Sequence, residues 1–146
     1  MLLRPRFTGA LSVRIHSEEG KLHPSGELLL IDPQGRKTGY DLKINKVLTQ
    51  IPHSSYESES IDDDVSGALG PETKIIDIQI PIDGEYILLV IGRETGKYDL
   101  EIRGYDCQMN SSDVKFRKVK ISQNIEHKYL IKYSNRKDRK IEVTRY

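Results

Sequence analysis

Hydrophobic and polar residues alternate along much of this chain with the period of two that is typical of β-strands. In KYDLEIRGY, Tyr98, Leu100 and Ile102 fall on one side, and the charged residues between them fall on the other. The segments TKIIDIQI, HKYLIKY and KIEVTRY repeat this pattern, and LSVRI and ELLLI are predicted as two further strands. Because successive side chains of a strand point to opposite faces, these segments predict half-buried strands with one solvent-facing side.

The segment YILLVIG is apolar on both faces, which favours a central strand that is covered on both sides. It continues through RET into GKYDLEI, and Gly92 and Gly96 bracket this short turn. Two strand patterns joined by a short turn with flanking glycines predict a β-hairpin.

The segment DVKFRKVKI changes phase in its middle. Val114 and Phe116 share one face, whereas Val119 and Ile121 have the opposite parity. One extra residue in a strand shifts the alternation by one, so a β-bulge at residues 117–118 is predicted to restore the register.

About eight to ten short strands with frequent turn residues predict an all-β fold, an antiparallel β-sandwich that is Ig-like or jelly-roll-like. The 146 residues are predicted to form a single domain, with residues 1–9 as an extended N-terminal arm. Residues 49–72 are predicted to be one long acidic loop, and long loops in compact domains usually have a function.

The charge balance limits the classes of partner. The net charge of +1 excludes strong overall attraction to nucleic acid or to anionic lipid. Residues 54–85 nevertheless contain nine acidic residues against one lysine, and residues 113–146 contain eleven Lys or Arg against four acidic residues. The two segments either attract each other, within the fold or between copies, or the second forms a basic binding face. The longest aliphatic stretch, residues 87–91, is too short to span a membrane, so no membrane insertion is predicted.

Residues 59–67, ESIDDDVSG, contain the clearest candidate for chemistry, an acidic turn with the spacing of metal ligands. Counted from Asp62, the third, fifth and sixth positions are Asp64, Ser66 and Gly67, the front half of a calcium loop. These oxygen ligands suit calcium better than zinc. The twelfth position has no carboxylate, and three residues elsewhere are candidates to supply one: Asp32, Asp41 and Glu57. The alternative is a solvated turn in which Asp62 binds neighbouring N–H groups.

The turn DPQGRKTGYD supplies the candidate ligand-binding residues. Asp32 is predicted to start the turn by accepting a hydrogen bond from the backbone N–H two residues later. Arg36 is predicted to pair with an acid of the long loop, such as Asp62 or Asp63, and its alternative role is ligand binding.

Two tyrosines are candidates for sugar binding. Tyr40 and Tyr56 each offer an aromatic ring that can stack on the C–H side of a sugar. The chain has no Trp, which argues against a flat polysaccharide-binding platform.

No catalytic motif is recognisable. The four histidines are scattered, and the chain has no H-E-x-x-H, no G-x-S-x-G and no phosphate-binding loop. The single cysteine, Cys107, cannot form an intramolecular disulfide and does not by itself indicate a zinc site. The sequence therefore predicts that the chain is not an enzyme and has no cofactor other than calcium.

Three stretches together resemble a recurrent β-sandwich module of bacterial extracellular multidomain proteins. They are LLLIDPQGRKTGYD, IPHSSYESESIDDDVSGALGPETKIIDI and PIDGEYILLVIGRETGKYDLEIRGYD. The module has a DP-x-GR-x-TG-[YF]-D turn, an IP-x-[SA]-SY segment, an acidic loop ending in GPETK and a P-x-DG-x-Y…G-x-Y hairpin. The hairpin alone is similar to bacterial pre-peptidase C-terminal domains, which are Ig-like or jelly-roll sandwiches.

The resemblance implies a non-catalytic accessory, interaction or spacer module of a bacterial exported protein that is secreted, periplasmic or on the cell surface. Its implied partner is a protein or a glycan. Some related sandwiches bind calcium, polysaccharide or collagen, so the alternative is recognition of a carbohydrate or matrix protein by the face of the 49–72 loop. The start, MLLRPRF, is too short for the hydrophobic segment of a signal peptide. Exposed edge strands allow the formation of homo-oligomers.

Overall fold

The computed structural model describes residues 8–60 and 70–146, and within them it contains eleven β-strands and no helix. The strands are β1 (Ala10–Ser17), β2 (Gly26–Ile31), β3 (Lys37–Asp41), β4 (Lys46–Thr49), β5 (Ser54–Ser60), β6 (Glu72–Gln79), β7 (Gly84–Gly92), β8 (Gly96–Tyr105), β9 (Ser111–Ile121), β10 (Glu126–Tyr133) and β11 (Glu142–Arg145). In the described part of the chain, no helix has the length and hydrophobicity needed to cross a membrane.

The strands form two antiparallel sheets, which confirms the predicted all-β sandwich. The first sheet has the order β5-β6-β1-β8-β9, and the second has the order β11-β10-β7-β2-β3-β4. β3 and β4 contact β5 at one side of the sandwich. At the other side β10 packs over β9. There the rings of Phe116 and Tyr129 pack edge to face with their centres 4.9 Å apart.

The core lies between the sheets and consists of the alternating residues that the sequence pattern selects. In β8, Tyr98, Leu100 and Ile102 are buried, at 1% exposure or less, and the charged residues between them are half-buried or exposed. The other strands contribute Leu11, Val13, Ile15, Leu28, Leu30, Ile76, Ile78, Tyr86, Leu88, Val90, Val119, Ile121, Tyr129, Ile131 and Tyr133, and the connections contribute Ile51 and Ile141. Removing this apolar surface from water is the main term that stabilises the fold.

The predicted hairpin of β7 and β8 is wrong. β7 pairs with β2 and β10 in the second sheet, and β8 pairs with β1 and β9 in the first. Residues 93–95 therefore cross from one sheet to the other. The buried faces of β7 and β8 therefore lie on opposite sides of the core. At the end of β7 only glycine fits at position 92, because an added Cβ would lie 2.0 Å from the carbonyl oxygen of Ser122.

The prediction that β7 is covered on both sides is also wrong. β7 is a central strand of its sheet, as predicted, but Ile87, Leu89 and Ile91 on its outer face are half-buried. A two-layer sandwich covers only the inner face of each sheet.

The predicted loop 49–72 is corrected in its first half. β5, with the sequence SSYESES, lies within it and pairs with β6 from Ser54↔Ile78 to Ser60↔Glu72. An edge strand has little apolar alternation because only part of its surface is covered. The remainder of the predicted loop lies largely outside the described residues, as does most of the predicted arm 1–9.

The predicted bulge in β9 is confirmed. Tyr98 pairs with Val119 and Leu100 pairs with Phe116, so residues 117–118 lie opposite the single residue Asp99. Lys118 adopts a positive φ of 52°, and its backbone N–H donates to Oδ1 of Asp99 at 2.8 Å. The bulge shifts the alternation so that both halves of β9 direct apolar residues to the core.

A hydrogen-bonded group of hydroxyls lies inside the core. The hydroxyl of Tyr98 contacts the hydroxyl of Tyr129 at 2.6 Å and Nδ1 of His127 at 2.8 Å. Burial raises the pKa of both tyrosines and, together with the charge of Arg145, lowers the pKa of His127. These contacts satisfy polar groups that would otherwise be buried without partners.

Candidate functional site

A cleft of about 400 Å³ opens at one end of the sandwich. We call it the end cleft. It lies where the β1–β2 connection, the starts of β2 and β6, and the β7–β8 crossover meet. Its lining residues are His23, Pro24, Gly26, Glu27, Glu72, Lys74, Arg93 and Glu94. The lining contains both acidic and basic side chains.

Glu27 forms the base of the end cleft. It interrupts the hydrophobic run of β2, GELLLI, and is fully buried. Its Oε1 accepts a hydrogen bond from the hydroxyl of Tyr56 and another from the backbone N–H of Leu28 at 3.3 Å. Its Oε2 accepts two hydrogen bonds from Arg93, from Nε at 2.9 Å and from Nη2 at 2.6 Å. A buried carboxylate is tolerated only with such partners, because it has lost its hydration.

Arg93 connects the cleft base to the surface. Its guanidinium lies 4.9 Å from the ring centre of Tyr40, within the range of a cation–π contact, and its side chain is 42% exposed. Partial burial alone would lower the pKa of Arg93, but the hydrogen bonds and charge of Glu27 outweigh it and raise the pKa. Arg93 therefore remains a cation that is fixed from two sides.

Tyr56 joins the same group from the opposite sheet. It lies on β5, and its hydroxyl reaches across to Glu27 on β2. Burial and the adjacent carboxylate of Glu27 raise the pKa of Tyr56, so the hydroxyl keeps its proton and acts as a donor. The contact ties the edge of the first sheet to the second sheet.

The rim of the end cleft is a second polar group, centred on Glu72. The carboxylate of Glu72 accepts a hydrogen bond from the hydroxyl of Ser58 at 2.6 Å and lies 3.3 Å from both Nζ of Lys74 and Nδ1 of His23. Burial works to raise the pKa of Glu72, but Ser58, Lys74 and His23 together lower it. Nζ of Lys74 also lies 5.9 Å from the ring centre of Tyr56, which links the rim to the base.

The predicted ligand-binding residues divide between two places. Tyr40 and Tyr56 come together around the Glu27–Arg93 pair, although each already uses its ring or hydroxyl in an internal contact. Arg36 lies at the other end of the sandwich, in the β2–β3 turn. A role for the two tyrosines in sugar binding stays a prediction.

Arg36 forms an ion pair with Asp32, and its pairing with Asp62 or Asp63 stays a prediction. Its Nε donates to Oδ2 of Asp32 at 2.6 Å, within its own turn. Asp62 and Asp63, the partners suggested from the sequence, lie outside the described residues.

The predicted role of Asp32 in its turn is confirmed. Oδ1 accepts the backbone N–H groups of Gln34 at 2.9 Å and Arg36 at 2.8 Å, and the side chain is fully buried. Both oxygens of Asp32 are therefore engaged inside the turn, and a metal ion would have to compete with three hydrogen bonds.

The other predicted calcium ligands, Asp62, Asp64 and Ser66, lie outside the described residues, so the calcium site stays a prediction. Within residues 8–60 and 70–146, no group of three or more His, Cys, Asp or Glu side chains is arranged to hold a metal ion. Ser60 and Glu72, which flank the acidic segment, pair with each other at the same end of the sandwich as the end cleft.

Sequence reasoning missed the Glu27–Arg93 pair. The only local signal was the glutamate itself, a charged residue inside the otherwise apolar strand GELLLI. A charge in such a position requires a partner, but the partner is 66 residues away in the chain.

Comparison with known proteins gives no match for this chain: no family model, no curated protein and no solved structure is similar to it.

Proposed function

We propose that this chain is a non-catalytic interaction module, an accessory domain of a bacterial exported protein, and that the end cleft is its binding surface. The observation that supports the proposal best is the group Glu27–Arg93–Tyr56, which joins the two sheets beneath the cleft. The bacterial and exported setting rests on the sequence resemblance alone.

The group favours binding because it fixes the cleft before a ligand arrives. Glu27 is fully buried and Arg93 is held by both Glu27 and Tyr40. Groups that are already ordered lose little conformational entropy on binding, so more of the contact energy remains as affinity. Binding sites are commonly preformed clefts with a few well-placed polar groups.

The rim favours a ligand that carries both signs of charge. Glu72 and Glu94 offer carboxylates, while Lys74 and the exposed part of Arg93 offer cations. A short charged peptide segment, with amine and carboxylate groups a few ångströms apart, matches this arrangement. The rim groups are also close enough to neutralise one another when the cleft is empty.

The proposal is tested by amide NMR titration of the protein with a panel of charged di- and tripeptides. We expect a member of the panel to shift the resonances around His23, Lys74 and Arg93. The double variant Glu72→Gln with Lys74→Gln should lose the response. The control is Arg103→Gln with Asp113→Asn, which removes an ion pair from the outer face of the first sheet, away from the cleft, and changes the net charge equally.

Two outcomes would contradict the proposal. If no peptide perturbs the cleft resonances, or if both double variants lose the response equally, the end cleft is not the binding surface. If a bound peptide is converted to a product during the titration, the module is catalytic.

A further inference from the structure

A strongly basic loop lies at the end of the sandwich opposite the end cleft. Residues 134–141, which we call the basic loop, connect β10 to β11. Four of five successive residues are cations, and all four are exposed: Arg136, Lys137, Arg139 and Lys140. None of them forms an ion pair with a residue that the structure describes.

The basic loop is held from inside by two carboxylates. Asp106 is buried, and its Oδ2 accepts the backbone N–H of Asp138 at 2.7 Å. Asp83 accepts the backbone N–H of Asn135 at 2.9 Å. These two carboxylates are therefore directed to the backbone of the loop, whereas the cationic side chains are exposed.

The far end of the basic loop is fixed by packing. Ile141 is buried, at 7% exposure, and packs against Gly104. A Cβ added at position 104 would lie 2.2 Å from Cγ2 of Ile141. Its backbone N–H donates to Oγ of Ser112 at 2.9 Å. The loop thus holds four cations close together around one carboxylate, Asp138, and this excess of positive charge favours a bound anion.

Two shallow clefts flank the basic loop, and Arg139 and Lys140 line both of them. One, of about 210 Å³, also contains Lys132, Ser134 and the carboxylate of Glu142, so its cations outnumber its single acid. The other, of about 240 Å³, contains Asn110, Ser111, Ser112 and the exposed carboxylate of Asp138. Asp106 lines the second cleft too, but four N–H donors already bind its carboxylate.

We propose that the basic loop binds an anionic polysaccharide, a chain of sugars that carries sulfate or carboxylate groups. The cations of Arg139 and Lys140 would contact successive acidic groups in the two clefts, and hydroxyl and amide side chains would bind the sugar hydroxyls. Ionised partners make stronger hydrogen bonds than neutral ones, and an ordered loop loses little entropy on binding.

Nucleic acid fits this surface less well. Proteins that bind single strands interleave cations with aromatic rings on which bases stack. Among the residues that line the two clefts, the aromatic side chain is Tyr133, which is 3% exposed and offers no free face. The net charge of +1 also gives the chain little long-range attraction to a duplex.

The test compares binding to heparin and to neutral dextran by affinity chromatography and calorimetry at physiological salt. We expect the wild-type chain to bind heparin and not dextran. The variant Arg139→Gln with Lys140→Gln should bind heparin about tenfold more weakly, because it loses two charge-assisted contacts. The matched control is Lys43→Gln with Lys46→Gln, which removes two exposed lysines near the other end and changes the net charge equally.

A third variant separates a built site from general attraction. Asp83→Ala raises the net charge but removes an anchor of the basic loop. We expect it to weaken heparin binding, whereas simple charge attraction would strengthen it.

Three results would overturn the proposal. The first is an equal loss of heparin affinity in the Arg139→Gln, Lys140→Gln variant and in its lysine control. The second is tighter binding to a single-stranded oligonucleotide than to heparin, and the third is self-association through the basic loop without any heparin binding. Each readout is independent of the end cleft, so a failure here leaves the proposed function standing.

Discussion

Arg93 donates two hydrogen bonds to a single oxygen of Glu27, a residue 66 positions earlier in the chain, at 2.9 Å and 2.6 Å. The pair joins the crossover between the sheets to the start of β2. The contribution of the pair to the stability of the fold depends on burial, which differs between the two side chains: Glu27 is fully buried and Arg93 is 42% exposed.

Arg93→Ala is expected to destabilise the fold by about 2–4 kcal/mol, since it leaves the buried carboxylate of Glu27 without its cation. The matched control is Arg103→Ala. The side chain of Arg103 is 39% exposed, a fraction similar to that of Arg93. Its carboxylate partners are partly exposed, however, so the expected cost is below about 1 kcal/mol. Urea unfolding measures both.

Adding Glu27→Gln to Arg93→Ala should recover part of the loss. The neutral amide removes the unpaired buried charge and still offers an oxygen to the hydroxyl of Tyr56. Equal costs for Arg93→Ala and Arg103→Ala, or a double variant less stable than Arg93→Ala alone, would show that the buried charge does not determine the effect.

Tyr98→Phe should cost more than Tyr129→Phe. The first change removes the partner of both the Tyr129 hydroxyl and Nδ1 of His127, and the expected loss is about 1–3 kcal/mol. The second leaves the Tyr98 hydroxyl bonded to His127. Thermal unfolding of the two variants gives the order of stability, and the reverse order would contradict the hydrogen-bond assignment.

Acid should weaken the anchor at Asp106. Hydrogen bonds from Asn110 and the backbone N–H groups of Asp138 and Gln108 outweigh the effect of burial and lower the pKa of Asp106 from 3.8 to about 2. Because the folded-state pKa lies below the ordinary value, the stabilisation is complete above pH 3.8 and is lost as the pH falls towards 2.

Asp106→Asn places an amide among four N–H donors and should be less stable than the wild type at neutral pH. The difference should shrink as the pH falls through the same window. Urea unfolding across that window measures it, and a constant difference would mean that the Asp106 carboxylate does not titrate as inferred.

Gly104→Ala is expected to cost about 1–3 kcal/mol, because the new methyl group meets Cγ2 of Ile141. Ile141→Ala leaves a cavity at the same place and is also destabilising. In the double variant the methyl group of residue 104 enters that space. The double variant should therefore lose less stability than the sum of the losses of the two single variants. If thermal or urea unfolding shows that the two losses of stability are strictly additive, the residues at positions 104 and 141 are not in contact.

The calcium prediction has its own experiment. If Asp62, Asp64 and Ser66 bind calcium, adding the ion to chelator-treated protein should raise the melting temperature, because a ligand of the folded state stabilises it. Asp62→Asn with Asp64→Asn should abolish that rise. An unchanged melting temperature in the wild type would rule out a structural calcium site.

The alternation of side chains was sufficient to predict eight of the eleven strands in the described part of the chain, but not β3, β4 and β5. Leu100 and Ile102 are buried and Glu101 is not, as the period of two requires. The change of phase in β9 also predicted its bulge at residues 117–118. Both follow from local geometry, because every side chain of a strand must point to one face or the other.

Strand pairing and the candidate site could not be read in the same way. A glycine-bracketed turn suits a hairpin and a crossover equally well, and Tyr56 in β5 shows no alternating apolar neighbours because that strand lies at an edge. Glu27 and Arg93 are ordinary residues in the sequence and meet only when β2 pairs with β7.

The sequence by itself determined which residues of the clearly alternating strands, such as β8, face the core, since that depends on the geometry of neighbouring peptide units. Only the tertiary structure decided that β7 and β8 lie in different sheets and that Glu27 lies beneath Arg93. The physical reason is that pairing and burial depend on the free energy of all contacts in the two stacked layers together, and no single segment contains that information.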